Sequence, residues 1–544
     1  MKKKVLSLLL ASAMVLSMAA CGSEEPAPES SSAAPAQSSA AASSSAAEEV
    51  TPPISHIHAV VDGTVNYVKE DSGKEEFIAQ LSAAVSEKMG YEITMEFTPL
   101  DHSGYSDAVG RLFAGGDYPD VMIMNAGMFR EYMNTGLLWD MSDAYDNAEF
   151  QPRLTAPALN EGLKTKDGAL YGFTPSIGGG CPTYVKESWL TAVGLTVEDI
   201  KTYDDFYNML KLFSTEDPDG NGVKGDTYGF ISAGLYGDEA PHINYLPDFW
   251  QDAYPGLLKG DDGVWYDGFQ TEATKQALLR LQQAYQEGLI DPESYTFGTK
   301  AAREKYWSAD QTGSAGVFCY WAGSWYDNIQ NNLDKNGVNT KLVQLDPIAE
   351  VAAVGGYLNR ESPVWVIIDD GDGDDTREQA IFEAFIEPML DGDVCQTLWT
   401  FGAEGTHWSL KAESITTGSG DKAKTTEYKE GEFHCLPTIA DPTSLFKKNH
   451  IDNAGVIAPL TNGYSNTTDT VAASNAHFVA NCVDAPSAPS CETYTNESVS
   501  ITDAKKAVIS SVVVEGGDVD EAMAKYVDTV GAIVEQCLAE LNAQ

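Results

Sequence analysis

One short segment of the chain carries oxygen atoms at the spacing that a hard cation requires. The segment runs from Asp217 to Asp226 and reads Asp-Pro-Asp-Gly-Asn-Gly-Val-Lys-Gly-Asp, so side-chain oxygens recur at alternate positions. A calcium loop collects about six to eight oxygens in this way and uses glycine at its sharp turn. We predict one structural Ca²⁺ here, held by Asp217, Asp219, Asn221, Asp226 and the carbonyl of Val223.

The loop departs from the calcium pattern at its twelfth position, where Tyr228 replaces the expected bidentate glutamate. Asp226, or a carboxylate from elsewhere, must then complete the shell. Asp/Asn/Gly turns without metal are common, so an ordinary turn stays open as the alternative. A second acidic run, Asp369–Asp375, precedes a predicted helix over Thr376–Leu390. We interpret that run as a helix-capping, solvated loop because carboxylates favour a helix N-terminus.

Aromatic side chains form the second group of candidate functional residues. A sugar presents an apolar C–H face that packs on a ring, and its hydroxyl groups need hydrogen-bond partners. Packing in a core is the alternative for every ring, because cores take most of the aromatic residues of any chain. The candidate rings for ligand contact are Trp250, Tyr320, Trp321, Trp325, Trp399 and Trp408.

The sequence lacks the motifs of common catalytic sites. It contains no Gly-x-Ser-x-Gly, His-Glu-x-x-His, Cys-x-x-Cys or phosphate-loop pattern. Cys181 follows Gly178-Gly-Gly180, but no base is identified that would activate its thiol. The glycine run can bring backbone close to a ligand, act as a hinge, or form a plain loop. Paired carboxylates of a glycoside hydrolase stay open in so acidic a chain.

The amino terminus has the order of a secretory leader. Lys2, Lys3 and Lys4 precede an apolar run over Val5–Met18, which is shorter than the roughly 20 residues of a membrane span. Met18-Ala-Ala-Cys21 resembles the lipobox of bacterial lipoproteins. The resemblance implies a signal peptide over residues 1–21 and a lipid on Cys21, at the extracellular face of the cytoplasmic membrane.

Residues 22–53 are predicted to be a disordered tether. The segment consists of Ser, Ala, Pro and Glu with almost no bulky apolar side chain, so burial cannot offset its conformational entropy. A flexible chain of roughly 30 residues has an end-to-end distance of about 30 Å. The folded body would therefore work close to the membrane.

Charge and length restrict the function further. The chain has 81 acidic and 34 basic side chains and a net charge of −47, which repels phosphate backbones and anionic headgroups. We therefore expect no nucleic-acid partner and no highly anionic ligand. A chain of 544 residues with 43% hydrophobic residues predicts two lobes with sizeable cores.

The cysteines do not form a disulfide scaffold. Seven remain besides Cys21, which is few for a large exported body, and an odd number leaves at least one free thiol. Cys482 and Cys491 flank a turn-rich segment and are close enough in sequence to suggest a bridge. We retain that bridge as a hypothesis.

Hydrophobic periodicity predicts an α/β fold. Helical spacing over Glu75–Met89 and Tyr105–Ala114 alternates with a strand over Ile93–Phe97 and the wholly apolar Val121–Met124. A short apolar run after a helix is typical of a buried parallel strand, and such sheets bind ligands beyond the carboxyl ends of their strands. An amphipathic helix over Asp518–Leu541 closes the chain.

Four segments then resemble one known family in the family's own order. They are Gly115–Met124, Asp167–Pro175, Tyr184–Gly194 and Ile200–Phe206. The family is that of the extracellular solute-binding proteins of ABC importers, carbohydrate type, and the resemblance covers most of residues 55–410. It implies a two-lobed, periplasmic-binding-protein-like α/β fold with hinge crossovers and a ligand cleft. The implied lobes are 55–173 plus 341–395 and 180–336 plus 405–544.

The resemblance also assigns residues and partners. Phe318–Trp325 resembles the strand-to-helix turn that places family residues at the cleft, which implies Trp321 and Trp325 as ligand contacts. Gly402–Trp408 resembles the Gly-x-Glu-Gly-x-x-Tyr turn of long lipoprotein members, which implies Glu404 and His407. The implied function is capture of a solute, most simply an oligosaccharide, by a monomer that delivers it to an ABC permease without breaking a bond. A glycoside hydrolase and a peptide- or amino-acid-binding lipoprotein of the same architecture remain alternatives.

Overall fold

The chain folds around two four-stranded sheets, each covered by helices. A computed structural model describes residues 51–63, 73–101, 104–165, 167–175, 178–235, 245–417, 423–436, 457–465, 467–486, 489 and 491–543. The predicted leader, the lipid-bearing Cys21 and most of the tether lie outside these residues. No helix in the described ranges is both long and apolar enough to cross a bilayer.

The strands, numbered along the described chain, are β1 His56–Asp62, β2 Thr94–Leu100, β3 Val121–Met124, β4 Thr183–Lys186, β5 Tyr228–Ile231, β6 Leu257–Lys259, β7 Trp265–Asp267, β8 Ala315–Cys319, β9 Leu342–Gln344, β10 Tyr357–Asn359, β11 Val364–Ile367, β12 Trp408–Ser409, β13 Glu413–Thr417, β14 Lys424–Tyr428, β15 His434–Cys435 and β16 Cys482–Asp484.

The α-helices of the described chain are α1 Lys74–Met89, α2 Tyr105–Gly115, α3 Ala126–Tyr132, α4 Ser142–Asn147, α5 Ala158–Glu161, α6 Glu187–Ala192, α7 Tyr203–Thr215, α8 Pro247–Trp250, α9 Glu272–Gln286, α10 Thr299–Tyr306, α11 Ser324–Lys335, α12 Ala349–Ala352, α13 Thr376–Ile381, α14 Val394–Phe401, α15 Asp469–Ala480, α16 Glu492–Ile509 and α17 Val519–Ala543. A π turn over Phe382–Ile386 and a 3-10 turn over Glu387–Leu390 continue α13, so the helical segment ends where the sequence predicts.

The first sheet has the strand order β11-β3-β1-β2. β1 is parallel to β2 and β3, and β11 is antiparallel to β3. All four residues of β3 are buried, as its apolar sequence predicts for a strand covered on both faces. α1 packs Phe77, Leu81 and Val85 into this core and ends at Gly90, which is left-handed at φ 77° and donates its N–H to the Ser86 carbonyl.

The second sheet has the order β5-β8-β4-β9 and a separate hydrophobic core. β5 is parallel to β8, whereas β4 is antiparallel to both of its neighbours. The carboxy-terminal helix α17 packs on this core through Met523, Val530, Val534 and Leu541. Val527, which the sequence places on the same apolar stripe, is 43% exposed because the adjacent Tyr526 takes the buried position.

The division of the chain between the two cores differs from the predicted lobes at two places. Residues 341–358 belong with the second core because β9 pairs with β4, and most of the large apolar side chains of this segment are buried there. In the opposite direction, Ile457 lies in the first core and Arg153 donates to the Ala458 carbonyl at 2.8 Å. The chain therefore passes from the second core to the first between Asn359 and Val364, later than predicted.

The hypothesis of a bridge between Cys482 and Cys491 is wrong in this structure, where both thiols are free. Cys482 lies on β16, which pairs with β10, and its sulfur is 3.7 Å from the Val479 carbonyl oxygen. Cys491 directly precedes α16 and faces Cys537 on α17. The two thiols are thus held by different elements although they are close in sequence.

Candidate ligand-binding site

Two segments that connect the cores run side by side, and we call them the crossover pair: residues 178–181 and 358–363. The Arg360 N–H donates to the Gly179 carbonyl at 2.9 Å. A Cβ at Gly178 would lie 1.7 Å from the Arg360 carbonyl oxygen, and one at Gly180 would lie 2.2 Å from that of Leu358. The glycine run is thus a place where two backbones meet, and at Gly178 and Gly180 only a residue without a side chain fits.

The crossover pair adjoins the carboxyl ends of parallel strands in both sheets. Its second segment leads into Val364, which pairs with Met124 at the end of β3. Its first segment leads into Thr183, which pairs with Cys319 at the end of β8. Open α/β sheets bind ligands at such carboxyl ends. The sheet topology therefore predicts a ligand-binding site next to the crossover pair.

A cavity of about 580 Å³ lies between the two lobes, and we call it the interlobe cavity. This volume is in the range of pockets that hold small ligands. One wall is α3, which follows β3 of the first sheet, and the other is the start of α16, which packs in the second core. Its lining combines polar and apolar surface and comprises Arg130, Glu131, Met133, Asn134, Cys491, Glu492, Thr495 and Asn496.

An ion pair joins the interlobe cavity to the crossover pair. Arg130 on α3 donates from one guanidinium nitrogen to the Glu361 Oε2 at 2.8 Å and from the other to Oε1. The Arg130 side chain is 22% exposed and that of Glu361 is 31% exposed, so water screens the pair only in part. A bidentate contact of this kind fixes the relative orientation of the two side chains as well as their distance. A movement of the crossover pair would therefore shift α3, which forms one wall of the interlobe cavity.

Trp321 stands directly against the crossover pair. The turn between β8 and α11 holds this half-buried ring, as the predicted strand-to-helix turn requires. The Tyr184 hydroxyl donates to the Trp321 carbonyl at 2.9 Å, and the Ala322 N–H donates to Gly180 at 3.0 Å. The Arg360 guanidinium lies 4.4 Å from the centre of the Trp321 ring.

Tyr320 and Trp325 form a second aromatic group on the same turn. Their ring centres are 5.0 Å apart in an edge-to-face arrangement, and Tyr320 is buried whereas Trp325 is half-buried. The Arg303 guanidinium lies 4.6 Å from the centre of the Trp325 ring and donates to the Tyr320 hydroxyl. The turn therefore combines aromatic faces with cationic hydrogen-bond donors.

Trp250 and Trp399 have a different environment. Trp250 is completely buried in the second core, and Trp399 is 1% exposed in the first. The Trp399 ring makes edge-to-face contacts with Phe77, Phe97, Trp365 and Phe385 at 5.4 to 6.0 Å. A ring enclosed in this way presents no face to a ligand. We therefore leave both tryptophans out of the candidate site.

Glu404, His407 and Trp408 lie together in a turn that packs on α1. The Glu404 backbone exchanges two hydrogen bonds with the Gln80 amide at 2.8 and 3.0 Å. His407 is completely buried, and its Nδ1 accepts from the Ala403 N–H at 2.9 Å. The Trp408 indole donates to the Gly402 carbonyl at 2.8 Å. These contacts stabilise the turn and explain the burial of His407 and Trp408, whereas the Glu404 side chain is exposed and its predicted ligand contact stays a prediction.

Asp248 is a buried carboxyl beneath the crossover pair that sequence reasoning missed. It is 1% exposed, and the Thr183 hydroxyl donates to its Oδ2 at 2.7 Å. Burial raises the pKa of Asp248 to about 6, against the lowering effect of the Thr183 hydrogen bond. Arg130, Arg360 and Glu361 were also missed. The sequence could have identified these residues by their positions just after β3 and β10, because ligands bind near the carboxyl ends of strands.

The acidic loop predicted to bind calcium connects α7 to β5. Asn221 Nδ2 donates to Asp219 at 3.0 Å and to Asp226 at 2.8 Å, and the Gly222 N–H donates to Asp217 at 3.0 Å. The second carboxylate oxygens of Asp217 and Asp226 are buried and have no hydrogen-bond partner. Burial, and then the neighbouring carboxylates, raise the pKa of Asp219.

These features fit a cation in part. Two buried, unpartnered carboxylate oxygens in one loop would be relieved by a positive ion. In the described part of the chain, however, no three His, Cys, Asp or Glu side chains come together in a metal-binding arrangement. A shell here would therefore need the amide oxygen of Asn221 and the backbone carbonyl of Val223 besides carboxylates.

Comparison with solved structures supports the two-lobed fold. The chain matches an HMO-binding, ABC-transporter-associated solute-binding protein of Bifidobacterium longum infantis with a TM-score of 0.59 and 15% identity, over 90% of this chain and 98% of that one. It matches the alginate-binding protein AlgQ2, solved without calcium ion, with a TM-score of 0.59 and 16% identity, over 91% and 99%. The expected periplasmic-binding-protein-like architecture is confirmed.

Sequence relatives come from Bacillus subtilis. Lipoprotein LipO is 25% identical over 342 residues, which cover 61% of this chain and 65% of LipO. The polygalacturonan/rhamnogalacturonan-binding protein YtcQ is 23% identical over 400 residues, which cover 68% of this chain and 72% of YtcQ. The model of the bacterial extracellular solute-binding proteins matches residues 80–400, more than half of the chain. The protein therefore belongs to the bacterial extracellular solute-binding protein family, whose members bind solutes rather than transform them.

Proposed function

We propose that this protein captures an oligosaccharide outside the cell and delivers it to an ABC permease. The observation that carries the proposal is the interlobe cavity, whose walls come from α3 on one lobe and α16 on the other. A ligand that touches both walls favours the closed arrangement by as much as its contacts differ between open and closed states. Ligand binding and closure of the two lobes are then thermodynamically coupled.

The crossover pair is the proposed hinge. The chain connects the cores through narrow segments, and the glycine contacts at Gly178 and Gly180 leave no side chain between the two backbones. A few residues at element ends can absorb the rotation of whole lobes. We assign the described residues within 55–173 and 364–465 to one lobe and those within 181–358 and 467–543 to the other.

An oligosaccharide suits the side chains of two neighbouring regions, the crossover pair and the interlobe cavity. Trp321 supplies a half-buried ring, and Asn134, Thr495 and Asn496 supply groups that pair with hydroxyls. The relative YtcQ is named for binding polygalacturonan and rhamnogalacturonan, and the Bifidobacterium protein is named as HMO-binding. Glu131 and Glu492 in the cavity wall disfavour a ligand with many negative charges.

The leader and tether complete the proposal. Cleavage before Cys21 and acylation of its thiol would anchor the chain at the outer face of the cytoplasmic membrane, as the lipobox resemblance implies. The relative LipO is named a lipoprotein. The acidic body needs such an anchor, because it has no excess of basic charge to hold it on anionic lipids.

A structural calcium ion is the second part of the proposal. Asp217, Asp219, Asn221, Asp226 and the carbonyl of Val223 would hold it, and the ion would neutralise the buried carboxylate oxygens of the loop. The comparison protein AlgQ2 was solved without calcium ion, which makes calcium a relevant ion to test on this chain. The ion would fix the loop and take no part in solute binding.

A thermal-shift screen of the full chain tests the function. The probes are neutral oligosaccharides, galacturonan oligosaccharides, peptides and amino acids, with thin-layer chromatography of each sugar after incubation. We expect a rise in the unfolding midpoint with at least one oligosaccharide, and the sugar recovered intact. A shift only with peptides or amino acids would contradict the oligosaccharide assignment. Release of shorter sugars would contradict a binding function.

A further inference from the structure

Two thiols meet beside the interlobe cavity and have no part in the proposed solute capture. Cys491 directly precedes α16 and lines the cavity, while Cys537 is completely buried in α17. The Cys491 thiol donates to the Cys537 carbonyl oxygen at 3.8 Å, so the two cysteines are in direct contact. Both belong to the second hydrophobic core.

The elements that carry the two thiols are fixed against each other. The Glu540 carboxylate on α17 accepts from the Thr493 N–H at 3.0 Å and from its hydroxyl at 2.5 Å, in the first turn of α16. These hydrogen bonds lower the pKa of Glu540 to about 2, so the contact persists through the neutral range. A disulfide needs facing side chains on backbones a short distance apart. The anchored helix ends supply that condition.

We propose that Cys491 and Cys537 are the disulfide pair of this chain, closed by exchange with a low-molecular-weight disulfide. The Cys491 thiolate attacks one sulfur of the small disulfide and displaces its first thiolate. Cys537 then loses its proton to solvent and attacks the Cys491 sulfur, which displaces the second. Two small thiols are released, two protein thiols are oxidised, and one small disulfide is reduced.

The order of the two steps follows from access. Cys491 is 8% exposed at the cavity wall, whereas Cys537 has no exposed surface. Burial raises the pKa of the Cys491 thiol, and burial raises that of Cys537 to about 12. The thiolate is the attacking species, so the exchange is slow at neutral pH and faster in alkali. An extracellular protein meets the oxidising conditions under which such bonds persist.

Peptide mapping of the full chain distinguishes this pair from the one suggested by sequence spacing. Trypsin cleaves after Lys448, Lys505 and Lys525, so Cys482 and Cys491 share the peptide 449–505 and Cys537 lies on 526–544. The reduced protein is incubated with hydroxyethyl disulfide at alkaline pH, denatured, alkylated with iodoacetamide and digested. Because hydroxyethyl disulfide is a small molecule, no second protein supplies a thiol that could compete with the cysteines of this chain.

We expect the peptides 449–505 and 526–544 to be linked, two hydrogens lighter than their sum, with Cys482 still available for alkylation. The matched variant C482S should give the same link, and C491S should abolish it. In C537S, Cys491 should stop at the mixed disulfide with mercaptoethanol. A loop within 449–505, or alkylation of both Cys491 and Cys537 in the oxidised wild type, would overturn the proposal.

A second measurement keeps the proposal testable if a serine variant folds poorly. A cross-link that closes a long loop restricts the unfolded chain, so oxidation should raise the melting midpoint of the wild type by about 3 °C. The same oxidation should leave the midpoint of C491S unchanged, and dithiothreitol should reverse the gain. An equal shift in wild type and C491S would contradict the assignment.

Discussion

The cores of the two lobes and the crossover pair between them use the same residue types for different purposes. In the first core the Trp399 ring is enclosed by four aromatic neighbours. At the crossover pair the Trp321 ring is half-buried, packs against the edge of the second core and lies 4.4 Å from the Arg360 guanidinium group. A ring whose contacts are complete stabilises the fold, and a ring that is partly uncovered is available to a ligand.

The two acidic loops show the same difference. In the Asp369–Asp375 loop, carboxylates accept backbone N–H bonds two residues ahead, as Asp369 does from Gly371 at 2.7 Å. In the loop from Asp217 to Asp226, one oxygen of each end residue is buried without a partner. The first loop is satisfied by its own backbone, whereas the second is incomplete. We therefore expect sites with incomplete contacts, rather than particular residue types, to mark where this protein binds a ligand or an ion.

Replacement of Trp399 by alanine should have the largest effect and should act on stability alone. We expect a loss of about 3–5 kcal/mol in unfolding free energy, because a large buried ring is replaced by a cavity. Chemical denaturation measures the loss, and calorimetry at low temperature should find the oligosaccharide affinity of the folded fraction unchanged. A loss of oligosaccharide affinity without a loss of stability would show that Trp399 contacts the ligand. The proposed difference between Trp399 as a core ring and Trp321 as a ligand-binding ring would then be wrong.

Replacement of Asp248 by asparagine should alter the pH dependence of stability. The folded-state pKa of about 6 lies above the ordinary value of 3.8, so the folded protein holds a proton that the unfolded chain releases between these values. Stability therefore decreases as pH rises from about 4 to 6, by about 3 kcal/mol from this group. Thermal melts at several pH values should show this decrease to be smaller in D248N. Parallel curves for both proteins would contradict a buried, titrating Asp248.

Replacement of Asp219 by asparagine tests the incomplete loop. Calcium at about a hundredfold excess over its dissociation constant should stabilise the wild type by about 2.7 kcal/mol after chelation, and D219N should lose most of this gain. In chelator alone D219N should be the more stable, because the raised pKa of Asp219 reflects a carboxylate that its surroundings disfavour. D372N in the satisfied loop is the matched control and should keep the calcium response. An unchanged response in D219N would exclude this loop as the site.

Replacement of Trp321 by alanine should give the smallest change in free energy and the clearest functional one. We expect about 10- to 100-fold weaker oligosaccharide binding by calorimetry, because a stacked ring is lost from the ligand surface. The unfolding free energy should change less than in W399A, since the Trp321 ring is already half exposed to solvent. An unchanged affinity in W321A would show that the ligand does not bind at the crossover pair.

Much of the local structure could be predicted from the sequence. The apolar run Val121–Met124 and the helix closed by Gly90 depend on neighbouring residues, and both formed as expected. The late passage between the cores could not be predicted, because it depends on the pairing of β9 with β4, which brings residues 341–344 beside 184–186. Periodicity within 341–358 carries no sign of which sheet it joins.

The candidate site was predictable only where a motif fixed the local geometry. The turn with Trp321 and Trp325 forms as its sequence indicates, and so does the acidic loop from Asp217. The choice among tryptophans required burial, which composition does not reveal, as Trp250 and Trp399 demonstrate. Arg130 and Glu361 are far apart in the sequence, so only the folded chain brings that ion pair to the cavity.

Small-angle X-ray scattering of the full chain, with and without the oligosaccharide found in the thermal-shift screen, tests the central claim most directly. Closure of two lobes about the crossover pair predicts a smaller radius of gyration in the presence of the sugar, and W321A should require more sugar for the same change. Saturated binding with an unchanged radius of gyration would contradict capture by hinge closure.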